Sequence, residues 1–363
     1  MLNNNTRKLD WQKIFNIVLL VFSVGILIYF CVSNNNLVTL INTLPYLNPF
    51  WLLCAIFSMV LFWITDSLII FKVTSSVYKK GYTKKDALKV TMVGQYFNSI
   101  SPFAVLGQPM QIITMLRQGI STGLAFSILI QKFLIYQSSL TIYSLLVIIF
   151  KYSFFRSHFP GFMSLALIGF LCQSFIVVLL LLFSINKTFT TKVIKLVFSF
   201  LSKIHIVKNP EKTAESLETQ LQFYLNNNKA LNRNHRFALK LYLMTFVQLT
   251  LLFIIPFFIY KSYHNAGFPI IDMISAQAFV TMISSYTPLP GASGTSEGSF
   301  LVIFNLFFNN ETTTQAMLLW RFITYYSCII FGAFFAFFNK KREAINIDFT
   351  QLMNTNINNV KDS

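Results

Sequence analysis

A chain of 363 residues that is 55% hydrophobic, 17% aromatic and only 11% charged lacks the surface charge of a soluble domain, which is nearer a quarter charged. Its net charge of +17 belongs, in so apolar a chain, to the Lys and Arg excess of cytoplasmic loops, and it does not call for a nucleic-acid partner. Recurring apolar stretches of about twenty residues predict an all-α polytopic membrane protein.

The first span is expected over residues 14–33, after Arg7, Lys8 and Lys13, which places the N-terminus in the cytoplasm. A cleaved signal peptide is the other reading of that start, but the apolar run is long and no small-residue cleavage site follows it. The uncharged loop 34–48 is then external and span two covers 49–71. Lys72, Lys79, Lys80, Lys84, Lys85 and Lys89 against the single acid Asp86 make the next loop internal.

Residues 90–118 read differently. An apolar run reaches Ser101-Pro102, breaks through Gly107-Gln108-Pro109 and resumes to Arg117. Each arm is too short to cross about 30 Å of hydrocarbon, so this is expected to be a re-entrant hairpin entering from inside. Span three falls within 121–150, with an external loop over 151–160, and span four covers 161–185. Residues 186–236 carry Lys192, Lys195 and Lys203 among Val, Ile, Leu and Phe, as an interfacial amphipathic cytoplasmic segment does.

Span five is expected over 237–260 and span six over 314–338, followed by a cytoplasmic tail from 339 to 363 that opens on Lys340, Lys341 and Arg342. Between them, 273–309 holds the second broken stretch, SSYTPLPGASGTSEGSF at 284–300. Unpaired backbone in lipid is prohibitive, so this becomes a second hairpin, entering from outside. The layout is six full spans plus two re-entrant hairpins arranged as an inverted pseudo-repeat, with a first half over 14–185, a second half over 237–338 and both termini inside. It puts 24 of the 29 basic residues inside. An eight-span layout, with each hairpin crossing fully, ranks second. Inverted repeats with discontinuous helices at the midplane are the architecture of transporters.

Each hairpin's second arm would present a helix N-terminus to the membrane interior, where free N–H groups favour an anion such as a lipid phosphate. Gly107, Gly291 and Gly294 would let a headgroup approach the backbone, or only permit tight turns. Glu297 is either a first-turn acid favoured by the helix dipole or the partner of a buried cation. Arg321, inside span six, either snorkels outward or pairs with Glu297 or a phosphate. Lys132, in the middle of span three, calls for a paired or functional role. Asp66, towards the inner end of span two, has Lys72 as its nearest candidate partner in sequence. Arg117 is an inner anchor that also sits where an anionic lipid head would arrive. The four cysteines and four histidines show no ligand spacing, so no metal is expected. No nucleophile–base set and no nucleotide-binding loop is visible; neither a catalytic residue nor a cofactor is expected.

The string QYFNSISPFAVLGQPMQIITMLRQGIS resembles the N-x-x-x-P-x-x-x-G-G-x-P-x-Q segment of the lysylphosphatidylglycerol synthase transmembrane family, the flippase portion of the multiple peptide resistance factors. TPLPGASGTSEGSFLVIF…LLWRFITYY resembles the same family's P-x-P-G-x-x-G-x-x-E…R-x-x-x-Y block. The likeness extends over about residues 10–340 and departs at Leu106, where the family carries the first glycine of a pair. It implies a module that moves phospholipid, aminoacyl-phospholipid such as lysylphosphatidylglycerol, or glycolipid between the leaflets of a bacterial cell membrane. It would place Pro102, Gly107, Gln108 and Pro109, then Pro290, Gly291, Gly294, Glu297 and Arg321, around the lipid path. The full-length members also carry a soluble transferase domain, and only about 25 residues follow the last span here, so synthase activity is not expected of this chain. The alternative expectation is a membrane subunit serving a separate soluble or membrane transferase in lipid modification and cationic peptide resistance. A homo-oligomer is compatible with either.

Overall fold

The computed structural model describes residues 36–78, 81–158, 160–185, 235–285, 287 and 289–337. The expected first span, the amphipathic segment up to residue 234 and the C-terminal tail lie outside these residues. The described chain is helical throughout and contains no strand.

A short helix, α1 (Asn36–Thr43), leads into α2 (Pro49–Val77). Asn48 caps α2, its Oδ1 accepting from the Phe50 amide at 3.0 Å, with Pro49 in the first turn. At 29 residues, α2 is about 43 Å long, ample for a hydrocarbon core of about 30 Å. α3 (Lys84–Ile100) starts from a reciprocal cap in which Thr83 Oγ1 accepts from the Asp86 amide and Asp86 accepts from the Thr83 amide. A one-turn 3₁₀ segment (Pro102–Ala104) links it to α4 (Gly107–Arg117). Then come α5 (Thr122–His158) and α6 (Pro160–Ile185).

The second half holds α7 (His235–Phe253) and α8 (Ile255–Ser262), which together make a further span-length helix. The second hairpin follows, with α9 (Ile270–Ser284), a 3₁₀ turn (Pro290–Ala292) and α10 (Thr295–Phe304). The last crossing is α11 (Asn310–Arg321), a π-helical turn (Phe322–Tyr326) and α12 (Ser327–Phe337). Among the described residues four helices are long and apolar enough to cross a membrane, over Pro49–Val77, Thr122–His158, His235–Ser262 and Thr312–Phe337.

The expected external loop over 151–160 is corrected: residues 151–158 continue α5, which runs unbroken to His158. Two contacts hold the extension in place, namely the ion pair of Lys151 with Asp272 and the packing of Phe155 on Phe279, ring centroids 4.5 Å apart.

The Asn48 amide donates to the Ser262 carbonyl at 2.8 Å, so the start of α2 and the end of α8 share one end of the bundle. α9 follows α8 by a short turn and enters from that end. α3 follows α2 by a short turn and enters from the other. The two hairpins therefore penetrate from opposite ends, and their 3₁₀ turns touch in the interior. Around them the core is largely aromatic, with Phe300 stacked between Phe304 (4.1 Å) and Trp320 (5.0 Å). Leu53, Ile56, Phe57 and Ile64 on α2 and Leu171 and Phe175 on α6 are exposed, as lipid-facing side chains are.

Candidate functional site

The site forms where the two hairpin turns meet. On the second hairpin, Gly291 has φ +59 and a Cβ there would run into the Tyr325 ring. Gly294 has φ +85 with open space around it. Both backbone conformations suit glycine because a side chain is strained in that region. Pro290 opens the turn and Gly294 precedes α10, where its amide donates to Glu297 Oε2 at 2.7 Å. Glu297 thus closes the first turn of α10, the position where the helix dipole favours an acid.

Arg321 completes the arrangement from the far end of α11. Its Nε donates to Glu297 Oε1 at 2.8 Å and its Nη2 to the Gly291 carbonyl at 3.0 Å. Nη2 also reaches the Ser296 hydroxyl, which lies 3.0 Å from Glu297 Oε2. The guanidinium sits over the rings of Tyr325 (5.0 Å) and Trp320 (5.2 Å). Arg321 is 4% exposed and Glu297 9%. This burial and partnering exclude the snorkelling alternative for Arg321. A buried charge needs such partners: losing one leaves an uncompensated ion. Tyr325 then bridges to the other hairpin, its hydroxyl donating to the Ser99 carbonyl at 3.1 Å.

On the first hairpin, Pro102 opens an exposed turn in which Phe103 and Ala104 both adopt positive φ, 52 and 54. The Ser101 hydroxyl accepts from the Leu106 amide at 3.2 Å. Gly107 is the first residue of α4 and is buried against the Asn98 side chain. Gln108 is half-buried and Pro109 exposed in the first turn of α4. Gln111 ties the two arms, its Nε2 donating to the Val90 carbonyl at 3.3 Å. Leu106, where the family carries glycine, has φ −79, so the turn makes no demand for glycine there.

Two of the sequence-derived candidates lie elsewhere. Arg117 is exposed at the last residue of α4, ten residues or about 15 Å along the helix from Gly107. Lys132 pairs with Asp66, its Nζ 2.7 Å from Oδ1 and 2.9 Å from Oδ2. This corrects the assignment of Lys72 to Asp66: the partner is 66 residues away, on α5. The sequence signalled only that Lys132, as an intramembrane charge, needs a partner; it did not say which helix supplies it. Ser296 and Trp320 were missed because neither serine nor aromatic residues stand out in a chain so rich in both, whereas Tyr325 is the tyrosine of the R-x-x-x-Y pattern but was given no role. Among the described residues no group of His, Cys, Asp or Glu is arranged to hold a metal.

Opposed broken hairpins, a buried ion pair at their junction and four span-length apolar helices define a multi-pass helical membrane protein of the discontinuous-helix kind. The chain belongs to the family described as the lysylphosphatidylglycerol synthase TM region, whose profile matches residues 16–332. It is also similar to a UPF0104 membrane protein of Archaeoglobus fulgidus, 27% identical over 252 residues, which cover 68% of this chain and 74% of that protein.

Proposed function

We propose that this protein is a membrane lipid translocase that moves a phospholipid, aminoacyl-phospholipid or glycolipid between leaflets. The observation that carries this is the meeting of two half-crossing hairpins from opposite ends, with the N-termini of α4 and α10 both at the junction. Exposed groups surround it: Pro102, Phe103 and Pro109 on one hairpin, Gly294 and Gly298 on the other. Helix N-termini meeting there suit an anionic headgroup, and the bare backbone at Gly294 and Gly298 lets one come close. Arg321 is not free to grip that headgroup in this state, because Glu297, Gly291 and Ser296 hold it. It acts as the latch that shapes the second hairpin, and the headgroup passes over the exposed face.

The protein sits in the bacterial cell membrane with both termini cytoplasmic, which agrees with Lys84, Lys85, Lys89, Arg117 and Lys240 all lying at the Val77 end of the bundle. A separate transferase is the natural source of the modified lipid. The test is reconstitution into vesicles with headgroup-distinct labelled lipids and leaflet-selective quenching. Faster loss of protection than in protein-free vesicles, for at least one anionic or aminoacylated lipid, is expected. No acceleration for any lipid would overturn the reading.

A further inference from the structure

Below the hairpin junction lies a second buried polar cluster that the lipid path does not use. Asp66 on α2 is 2% exposed, and Gln248 on α7 donates from Nε2 to its Oδ1 at 3.0 Å. Lys132 on α5 supplies the cation already described. Asp66 lies 11 residues from the end of α2, Lys132 ten from the start of α5 and Gln248 13 from the start of α7. At 1.5 Å per residue these are about 15–20 Å from that end, near mid-membrane.

Two features make the cluster more than a structural tie. Gln248 Oε1 is buried without a hydrogen-bond partner, which is costly in so dry a setting. The two charged side chains also differ in access: Lys132 is 15% exposed and Asp66 3%. The cluster reaches the hairpin junction through packed side chains. Trp63, one turn before Asp66, packs its ring on Phe331 (5.6 Å). Cys328 lies one helical turn from Phe331 and places its Sγ 4.0 Å from Gln95 Oε1 on the first hairpin. Directly before Cys328 runs the π turn carrying Tyr325, whose ring covers Arg321. Such π turns recur at functional sites. The groups facing Asp66 are Lys132 and Tyr136 from α5, Gln248 from α7 and Cys328 from α12.

We propose that Asp66, Lys132 and Gln248 form an intramembrane proton-binding site that couples a proton to the movement of the hairpins. The proposal rests on the lipid-translocase reading. A proton from water adds to the Asp66 carboxylate and gives the neutral acid. The Gln248 amide turns over, so that its unpaired Oε1 accepts the new O–H. Lys132 loses its counter-charge and its ammonium swings towards the aqueous side, which unties α2 from α5. Deprotonation of Asp66 reverses each step, giving two states biased by one proton.

The experiment uses the reconstituted full chain with labelled phosphatidylglycerol, under an imposed pH gradient, a sodium gradient or none. One-proton coupling predicts a leaflet ratio that shifts by about tenfold per pH unit. It also predicts loss of that response in Asp66→Asn and in Asp66→Leu combined with Lys132→Met, the second variant leaving no unpaired buried charge. Infrared difference spectra on acidification should show a carboxylic-acid band in the wild type that both variants lack. Lipid movement that ignores the pH gradient, or follows sodium instead, overturns proton coupling while leaving translocation standing. An absent carboxyl band overturns the proton site even if no lipid moves, and an absence of lipid movement with the band intact counts against translocation alone.

Discussion

In the turns over 102–107 and 290–295 the first three residues trace one path with different side chains, before Val105 (ψ −31) and Ser293 (ψ 144) part ways. Each begins with proline, holds two consecutive residues at positive φ and starts a helix five positions on: Pro102, Phe103, Ala104 and Gly107 in one, Pro290, Gly291, Ala292 and Thr295 in the other. Where the second hairpin uses Gly291 at φ +59, the first forces Phe103 into φ +52, at a cost of about 1–2 kcal/mol for a residue with a Cβ. The residue before the helix reverses this: Gly294 at φ +85, Leu106 at φ −79. The second hairpin then adds what the first lacks, a buried ion pair. The first is closed by amide and hydroxyl contacts alone, Gln111 to Val90 and Leu106 to Ser101. The same turn is thus held by charge on one side of the junction and by neutral contacts on the other.

The largest effect separating the two hairpins should come from the ion pair. Glu297→Gln or Arg321→Gln leaves one buried charge unmatched and should cost about 3–5 kcal/mol of stability, read as a lowered unfolding midpoint in detergent. Gln111→Ala in the first hairpin should cost only about 1 kcal/mol in the same assay, the worth of one ordinary hydrogen bond. Equal losses would break the contrast.

The glycines come next. Gly291→Ala meets the Tyr325 ring and Gly294→Ala keeps an unfavourable φ, so each should cost about 1–3 kcal/mol. Leu106→Gly, which restores the family's residue, should gain nothing and cost about 1–3 kcal/mol, because α-region backbone at Leu106 rewards no glycine and its half-buried side chain packs on the Tyr96–Ile100 cluster. The smallest effect is of the opposite sign: Phe103→Gly should stabilise by up to about 1 kcal/mol, since its ring is 62% exposed and little packing is lost. A large destabilisation there would mean the Phe103 ring is covered in the membrane by something the turn geometry does not reveal.

Much of this was legible in the sequence. Proline and glycine between apolar runs mark breaks that lipid does not tolerate, so both hairpins could be placed, and the polarity of Glu297 and Arg321 singled them out. The family pattern was equally readable, because its motifs fall in the same two stretches. The Lys132–Asp66 and Lys151–Asp272 pairs were not found, since each joins residues distant in sequence and hydropathy carries no information on which helices are neighbours. The length of α5 was misjudged because residues 151–158 mix charge with aromatic residues, as a loop does; only packing on α9 makes them helical. The likeness of the two turns rests on the identities Pro102/Pro290 and Ala104/Ala292, too few to notice until the backbone shows the intervening residues in one conformation.

On the proposed function, lipid passes at the junction held by Glu297 and Arg321. The most direct measurement compares lipid translocation in vesicles by the wild type, Arg321→Gln, and Gln111→Ala, each at equal reconstituted amounts of folded protein. Arg321→Gln is expected to lose nearly all of the protein-dependent rate while Gln111→Ala keeps most of it. Equal rates for wild type and Arg321→Gln would contradict passage at the junction.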